Sequence, residues 1–264
     1  NNTAFVIGNG IDGDNRSDAL VVKFNGDATL AGSMTATSFI GDGSQLTNLP
    51  SSGGDSPFSY NSNEAGGIEV ADYTTASGSR AFAVGNDNLA SGSSSTAMGR
   101  GTIASGDDST ALGANTEASG LYSTAMGMYS KAIGNSSTAM GYYTEASENY
   151  STSMGANTVA SGTYSTAMGR GTTASGSYST AMGANTEASG NRSTAMGHFT
   201  TASDFASTVI GLYNSSGSSA TSAASLSTSA PAFVIGNGAD SNNRSDALVV
   251  KFNGDATLAG NLNI

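Results

Sequence analysis

The sequence predicts an all-β protein: a central stack of 14-residue β-coils, flanked by short β-meander modules. Three features point there. A strict 14-residue period runs through the middle, side chains alternate in character within each half-period, and a β-rich segment is duplicated at the two ends.

The end modules come first. Ala4-Phe5-Val6-Ile7-Gly8-Asn9-Gly10 returns as Ala232-Phe233-Val234-Ile235-Gly236-Asn237-Gly238. Arg16 to Gly32 returns unchanged as Arg244 to Gly260, at a constant offset of 228 residues. Phe5 to Ile7 and the β-branched run Ala19 to Phe24 read as strands. Asn25-Gly26 is a hairpin-turn signal, and Ala28 to Ala31 is the return strand. Three short strands are too few for independent stability, so each module is expected to need a partner.

In the centre, Val84, Met98, Leu112, Met126, Met140, Met154, Met168, Met182, Met196 and Ile210 lie 14 apart, and each is followed by Gly. A second series, Ala90, Ala104, Ala118, Ala132, Ala146, Ala160, Ala174, Ala188 and Ala202, runs six residues behind the first. The consensus is Ser-Thr-Ala-Met-Gly-x-x-Thr-x-Ala-Ser-Gly-x-x. Fourteen is also two heptads, so the period alone admits a coiled coil. Two Gly per repeat, each costing about 1 kcal/mol relative to Ala in a helix, and the many Ser and Thr exclude it. Thr96 and Met98 fall on one side of the chain and Ser95 and Ala97 on the other, which is strand periodicity. One coil is then strand, turn, strand, turn, and ten coils stacked at about 4.8 Å make a rod of roughly 45–50 Å.

Pro50, Pro57 and Pro231 bracket the stack, with Gly/Ser/Ala/Thr-rich connectors at Ser51 to Asp55 and Ser215 to Ser229. The expected division is 1–50, N-terminal β module; 51–62, linker; 63–214, repeat region; 215–230, linker; 231–264, C-terminal β module. The chain starts and stops mid-motif and shows no signal-peptide pattern at Asn1, so it reads as a piece of something longer.

Composition narrows the function. Only 11% of residues are charged, the net charge is −11, and nine Lys and Arg are scattered singly. No basic face for nucleic acid or for a membrane surface is expected. The longest apolar run is too short for a membrane-spanning helix. The absence of Cys excludes disulfide and thiol chemistry.

The interior of such a coil is thin. A buried Met contributes about 1.5–3 kcal/mol, far less than the backbone entropy of fixing 14 residues. Both alternating faces carry apolar residues, so two buried surfaces are expected. One lies inside the roll, and the other lies between rolls related by closed rotational symmetry.

The motif Ser-Thr-Ala-Met-Gly-x-x-Thr-x-Ala-Ser-Gly resembles the head repeats of trimeric autotransporter adhesins, the YadA-like heads, over about residues 63–213. The resemblance implies a left-handed parallel β-roll with three chains packed about an axis, a homotrimer. It also implies that the Thr96 and Met98 columns point into the roll. The series from Val84 to Ile210 would then form the structural core, and the Ala97 column would face the axis. Thr where that family usually has Val is a departure that makes the interior more polar. Ala36 to Pro50 resembles a segment of phage tail-fibre-like and secreted bacterial proteins that carry an endosialidase-type chaperone domain. Neither that domain nor an adhesin stalk and anchor lies within these 264 residues.

Chemistry-bearing residues are few. His198 is the only histidine and sits at a variable turn position, no nucleophile has a second partner, and no carboxylate pair stands out. No enzyme activity, catalytic residue, cofactor or metal is expected. Asp12-Gly13-Asp14-Asn15 with Asp18, and Asp240-Ser241-Asn242-Asn243 with Asp246, read as polar turns rather than calcium loops. Tyr122, Tyr150, Tyr164 and Tyr178 share one repeat position, and Tyr129, Tyr143, Phe199 and Tyr213 share another. Such columns either engage sugar or protein, or simply brace neighbouring coils. Glu117, Glu145 and Glu187, with Lys131, read as a solvated edge. Two Thr columns, one from Thr96 to Thr208 and one from Thr102 to Thr200, raise ice binding as an alternative, against which the first is expected to be buried.

The expected function is an extracellular trimeric fibre segment with an adhesin-like head, at a bacterial surface or secreted. Its partners would be sister chains and a host-cell, extracellular-matrix or glycan ligand, with no nucleic acid and no membrane insertion. A structural spacer of a cell-surface fibre or a phage tail is the alternative.

Overall fold

The computed structural model describes residues 3–8, 17–25, 27–31, 59–60, 68–70 and 73–260. The Asp12 to Asn15 run, Gly26, the Ala36 to Pro50 segment and the 51–58 and 61–62 parts of the expected linker lie outside the described residues. The chain divides into two units, Asn1–Gly54 and Asp55–Ile264.

In the first unit, strands Thr3–Gly8, Asp18–Lys23 and Ala28–Leu30 form an antiparallel sheet in chain order. Val6 faces Val21 and Ile7 faces Leu20. The connection before the third strand is closed by the Lys23 amide donating to the Asp27 carbonyl at 2.8 Å and by Asn25 Nδ2 donating to Asp27 Oδ2 at 2.8 Å.

The second unit is built on two parallel sheets. Five-residue strands, from Phe82–Asn86 through Thr96–Arg100 to Thr208–Leu212, make one. Two-residue strands, from Thr75–Ala76 to Thr201–Ala202, make the other, which has ten strands. Each strand pairs with its equivalent 14 residues on, as Thr110 with Thr124 and Ile103 with Glu117. The fold class expected from the repeat is the one observed, and the described residues contain no helix. At the start of the long sheet, Ser59–Tyr60 pairs antiparallel with Ile68–Val70, which runs parallel to Phe82–Asn86.

In most coils five residues point inward, Ser95, Ala97, Thr102, Ala104 and Gly106 in one; at the Gly106 position Asp204 is also buried, whereas Glu148 is exposed. The alternation is as expected, but the assignment of its two sides is reversed. Val84, Met98, Leu112, Met126, Met140, Met154, Met168, Met182, Met196 and Ile210 lie on the outer face of the long sheet. Met98 is 40% exposed, whereas Ala97 is fully buried. The reason is room. Ala from the long strand faces Ala from the short strand across the roll, and methyl and hydroxymethyl groups fill the gap between sheets. An unbranched Met side chain at every coil would force the sheets apart. The two Thr columns exchange places for the same reason: Thr102 and its equivalents are buried, while Thr96 and its equivalents are half-exposed beside the Met column.

This interior also holds hydroxyls. Ser153 replaces the inward Ala of its coil and is accommodated by Thr158, with Oγ and Oγ1 2.7 Å apart. Thr116, Thr144, Thr172, Thr186 and Thr200 leave their hydroxyls buried without a partner. Thr serves there for its branched shape, at the desolvation cost of an unmade hydrogen bond.

The glycine columns set how closely coils stack. Gly155 has φ +120°, and a Cβ built on it would lie 2.0 Å from the Gly169 carbonyl oxygen of the next coil.

The stack does not simply end. Pro231–Asn237 pairs in parallel with Thr208–Leu212, setting Val209 against Val234, Ile210 against Ile235 and Gly211 against Gly236. Asp246–Lys251 and Ala256–Leu258 then continue the sheet antiparallel. The C-terminal module is therefore an extension of the roll's long sheet. Ser215 to Ala230, read from composition as a connector, folds back over the end of the short sheet. Ser203 N donates to Gly217 O, Phe205 N to Ser222 O and Asn191 N to Ala223 O. Asp204 Oδ1 accepts from the amides of Thr221 and Ser222 at 2.6 and 2.7 Å.

Two expectations follow. Gly155→Ala should destabilise the roll well beyond the roughly 1–3 kcal/mol of backbone strain. Gly254→Ala, at φ +90° with nothing within 4 Å, should show the strain alone; denaturant titration compares them, and equal losses would refute the steric role of the coil contact. Thr186→Val should stabilise by about 1 kcal/mol by removing an unpaired buried hydroxyl, and a lowered melting temperature would show that the hydroxyl is bonded in solution.

Candidate functional site: the aromatic edges of the roll

The coils turn along two edges, and the turn geometry recurs every seven residues. Asp108, Asn115, Tyr122, Tyr129 and Ser136 all adopt positive φ, between 52° and 57°. Asn, Asp and Gly enter this left-handed region readily, while a bulky aromatic there is uncommon and costs about 1–2 kcal/mol. All eight predicted aromatics sit at these positions, with φ from 40° to 60°.

Stacking offsets that cost. Along the edge that follows the short strands, Tyr150, Tyr164 and Tyr178 form a column with ring centroids 4.6 and 4.9 Å apart and planes within 7°. The spacing is that of the strands beneath. Each pair adds about 0.5–1.5 kcal/mol beyond its buried area. Tyr122 shares the edge, but Ser136 occupies the level between it and Tyr150, so it stands apart. Along the other edge, Tyr129 stacks on Tyr143 at 4.6 Å and Phe199 on Tyr213 at 4.7 Å. Asn157, Gly171 and Asn185 occupy the levels between the two pairs. The structure thus resolves the two predicted columns into one triple, two pairs and one isolated ring.

Several neighbours complete these clusters, none of them assigned to an aromatic column from sequence. Tyr142 packs edge-on to Tyr143 at 4.6 Å, and His198 packs edge-on to Phe199 and Tyr213 at 4.6 and 5.3 Å. Both precede a left-handed residue by one, a signal that the repeat alignment contains. Arg192 occupies the level after Tyr178 and lies between that ring and Phe205, at 6.0 and 5.3 Å from their centroids. Arg244 of the C-terminal module lies 5.9 Å from the Tyr213 ring centre, and its Nη1 donates to the carbonyls of Phe199 and Asn214 at 3.3 and 3.2 Å. Only folding reveals the Arg244 contacts, which join residues 30 to 45 apart. The Tyr143 phenol is held above its ordinary pKa, first by desolvation and then by the phenols of Tyr142 and Tyr129.

The other polar candidates have local roles. Asp240 Oδ1 accepts from the amides of Asn242 and Asn243 at 2.8 and 2.9 Å, and Asn243 Nδ2 bonds both its carboxylate oxygens. These bonds, the Asn243 side chain first, hold its carboxyl below the usual range. Asp246 accepts from the amides of Ser215 and Ser216. Lys131 lies 3.7 Å from Glu117 on the exposed face of the short sheet, a pair worth little.

A parallel β-roll of 14-residue coils, with small residues inside and aromatic columns at its turns, defines the class: a parallel β-solenoid built from a short repeat. A sequence profile of the YadA head domain repeat (2 copies) matches residues 75–102, 104–130, 132–158, 160–186 and 188–214, just over half of the chain. The chain belongs to the YadA head repeat family. Each match spans two coils of the roll. No curated protein matches the sequence.

Stacking and strain oppose each other at Tyr164, which gives a test. Tyr164→Asn removes two ring pairs but places a residue suited to positive φ, so the net loss of stability should not exceed about 2 kcal/mol. A larger loss in denaturant titration would mean that the column holds the roll together.

Proposed function

We propose that the roll is the adhesive head of a homotrimeric extracellular fibre, and that its aromatic edges meet a glycan or protein ligand. The observation that carries this reading is the Tyr150–Tyr164–Tyr178 column: three exposed rings stacked at consecutive strained backbone positions, where Arg80, Ser94, Asp108, Ser136, Arg192 and Ala206 stand in other coils. Inner ring faces cover one another, so a ligand would meet ring edges and phenol hydroxyls, which suit the apolar and hydroxyl faces of a sugar. Repetition along the edge and among three chains would make weak contacts multivalent. Membership of the YadA head family supports a bacterial surface location. A tail-fibre spacer is favoured instead by the Arg192 cap on Tyr178, which completes the column internally.

The Met column supports the trimer. It runs unbroken along the outer face of the long sheet from Met126 to Met196, half-exposed in the single chain and flanked by Thr. A continuous apolar stripe of that length marks a surface for burial between subunits.

Solution mass should be about three times 26.0 kDa. The double variant Met140→Glu, Met154→Glu should reduce it towards one chain, since neither side chain enters the roll interior; a wild-type monomer would refute the trimer. Binding of the whole protein to glycan arrays, matrix proteins and host cells should fall at least tenfold in Tyr150→Asn, Tyr164→Asn, Tyr178→Asn, with mass and melting behaviour retained. Undiminished adhesion would leave the column a structural brace.

A further inference from the structure

The two end modules share one design, and one of their edges differs. Thr3–Gly8 pairs with Asp18–Lys23 as Pro231–Asn237 pairs with Asp246–Lys251. Phe5, Val6 and Ile7 face Val22, Val21 and Leu20; Phe233, Val234 and Ile235 face Val250, Val249 and Leu248. Irregularities fall at the same places. The far edge of Pro231–Asn237 carries the last rung of the roll, Thr208–Leu212, in parallel. The same edge of Thr3–Gly8 is the outer edge of its three-stranded sheet.

Three residues of the first strand are suited to a rung on that edge. Val6 is 43% exposed, while its counterpart Val234 is fully buried beside Val209. Gly8 does not adopt a left-handed conformation, and among the described residues a Cβ built there would meet the Ser17 carbonyl oxygen alone, at an ordinary 3.6 Å. Among those residues nothing in its own unit requires glycine. At Gly236 the same Cβ would strike Leu212 O at 2.6 Å and Asn214 N at 2.8 Å, atoms of the coil before it. Asp18 is exposed, while its counterpart Asp246 binds the amides of Ser215 and Ser216, which follow that coil.

We infer that the open edge of Thr3–Gly8 is a docking strand for the terminal rung of another 14-residue β-roll. That roll is joined ahead of the module on the polypeptide, as this roll is joined ahead of Pro231. It pairs in parallel, in the register that sets Thr208 against Phe233 and Gly211 against Gly236. The occupant is defined by its chemistry: a rung of the Thr-Val-Ile-Gly or Thr-Ala-Met-Gly type, with its end uncovered, followed by small residues whose amides reach Asp18. The last rung of the roll described here, Thr208–Leu212, is already paired with Pro231–Asn237, so the occupant is a different rung. The module is then a splice between successive rolls, and the 228-residue offset is the length of one fibre unit.

Hydrogen exchange tests this in two proteins. In the 264-residue chain, amides of Val6 to Gly8 should exchange at least tenfold faster than those of Val234 to Gly236. In a chain extended by a copy of residues 73–230 placed directly before Thr3, they should slow to the rate of Val234 to Gly236, and Gly8→Ala should abolish that gain alone. Equal protection in the unextended chain would mean that another copy or segment covers the edge, and would overturn the inference. So would unchanged exchange in the extended chain. A graft of residues 3–32 in place of 231–260 keeps the question answerable if the added roll does not fold. The graft should preserve protection of Thr208–Leu212, and loss of that protection would equally overturn the inference.

Discussion

The approach of one backbone to the next, coil on coil, is the constraint on which the rest of this structure depends. A Cβ at Gly99, Gly113 or Gly155 would lie about 2 Å from the carbonyl oxygen one coil on, and the Gly106 column is equally tight. Because the Gly99 column admits no side chain, and the Gly106 column carries one only at Glu148 and Asp204, the coils keep one outline and their strands pair with their equivalents in register. Side chains then line up as columns rather than as a packed cluster. Ala97 touches the environment of Ala111, and Tyr150 that of Tyr164, because the backbone leaves no other arrangement.

That constraint explains the composition. A conventional core concentrates bulky residues at the centre, whereas here the largest inward side chains of a typical coil are Thr, and its fully buried apolar residues are Ala. Each coil contributes little burial of its own and gains most from its two neighbours, which is the energetic character of solenoids. The ends are where such a stack is exposed. The C-terminal end is closed twice: Pro231–Asn237 covers the long sheet, and Ser215 to Ala230 covers the short one. Asn214, at the level where inner coils carry Thr, accepts from the Thr201 amide and donates to the Thr201 carbonyl, supplying with its side chain what a further short strand would.

The period, the strand character and the alternation were all legible in the sequence, because Gly and Met recur at fixed spacing and no helix tolerates that glycine content. Which side faced inward was not. Alternation separates Ala97 from Met98 but carries no information on the distance between sheets, and the inward side taken from the family resemblance is the outer one here. The aromatic columns were legible as shared repeat positions, yet their division was set by Ser136, Asn157 and Asn185, residues that say nothing about rings until the levels are counted. Arg244 reaches Tyr213 only because the module continues the sheet. The rung-like pattern of Phe233-Val234-Ile235-Gly236 was present to be read, but it lies outside the 14-residue phase, separated from the preceding rung by the fold-back of Ser215 to Ala230.

The left-handed residue recurs at each half-coil, and its side chain leaves the roll outward at both edges. A ring can therefore be written onto either edge, at any level, by exchanging one residue whose backbone is already in place. Surface pattern and scaffold are decoupled in such a rod. The same framework can carry a new arrangement of contacts without refolding, and lengthening it by whole coils adds further levels on which to write.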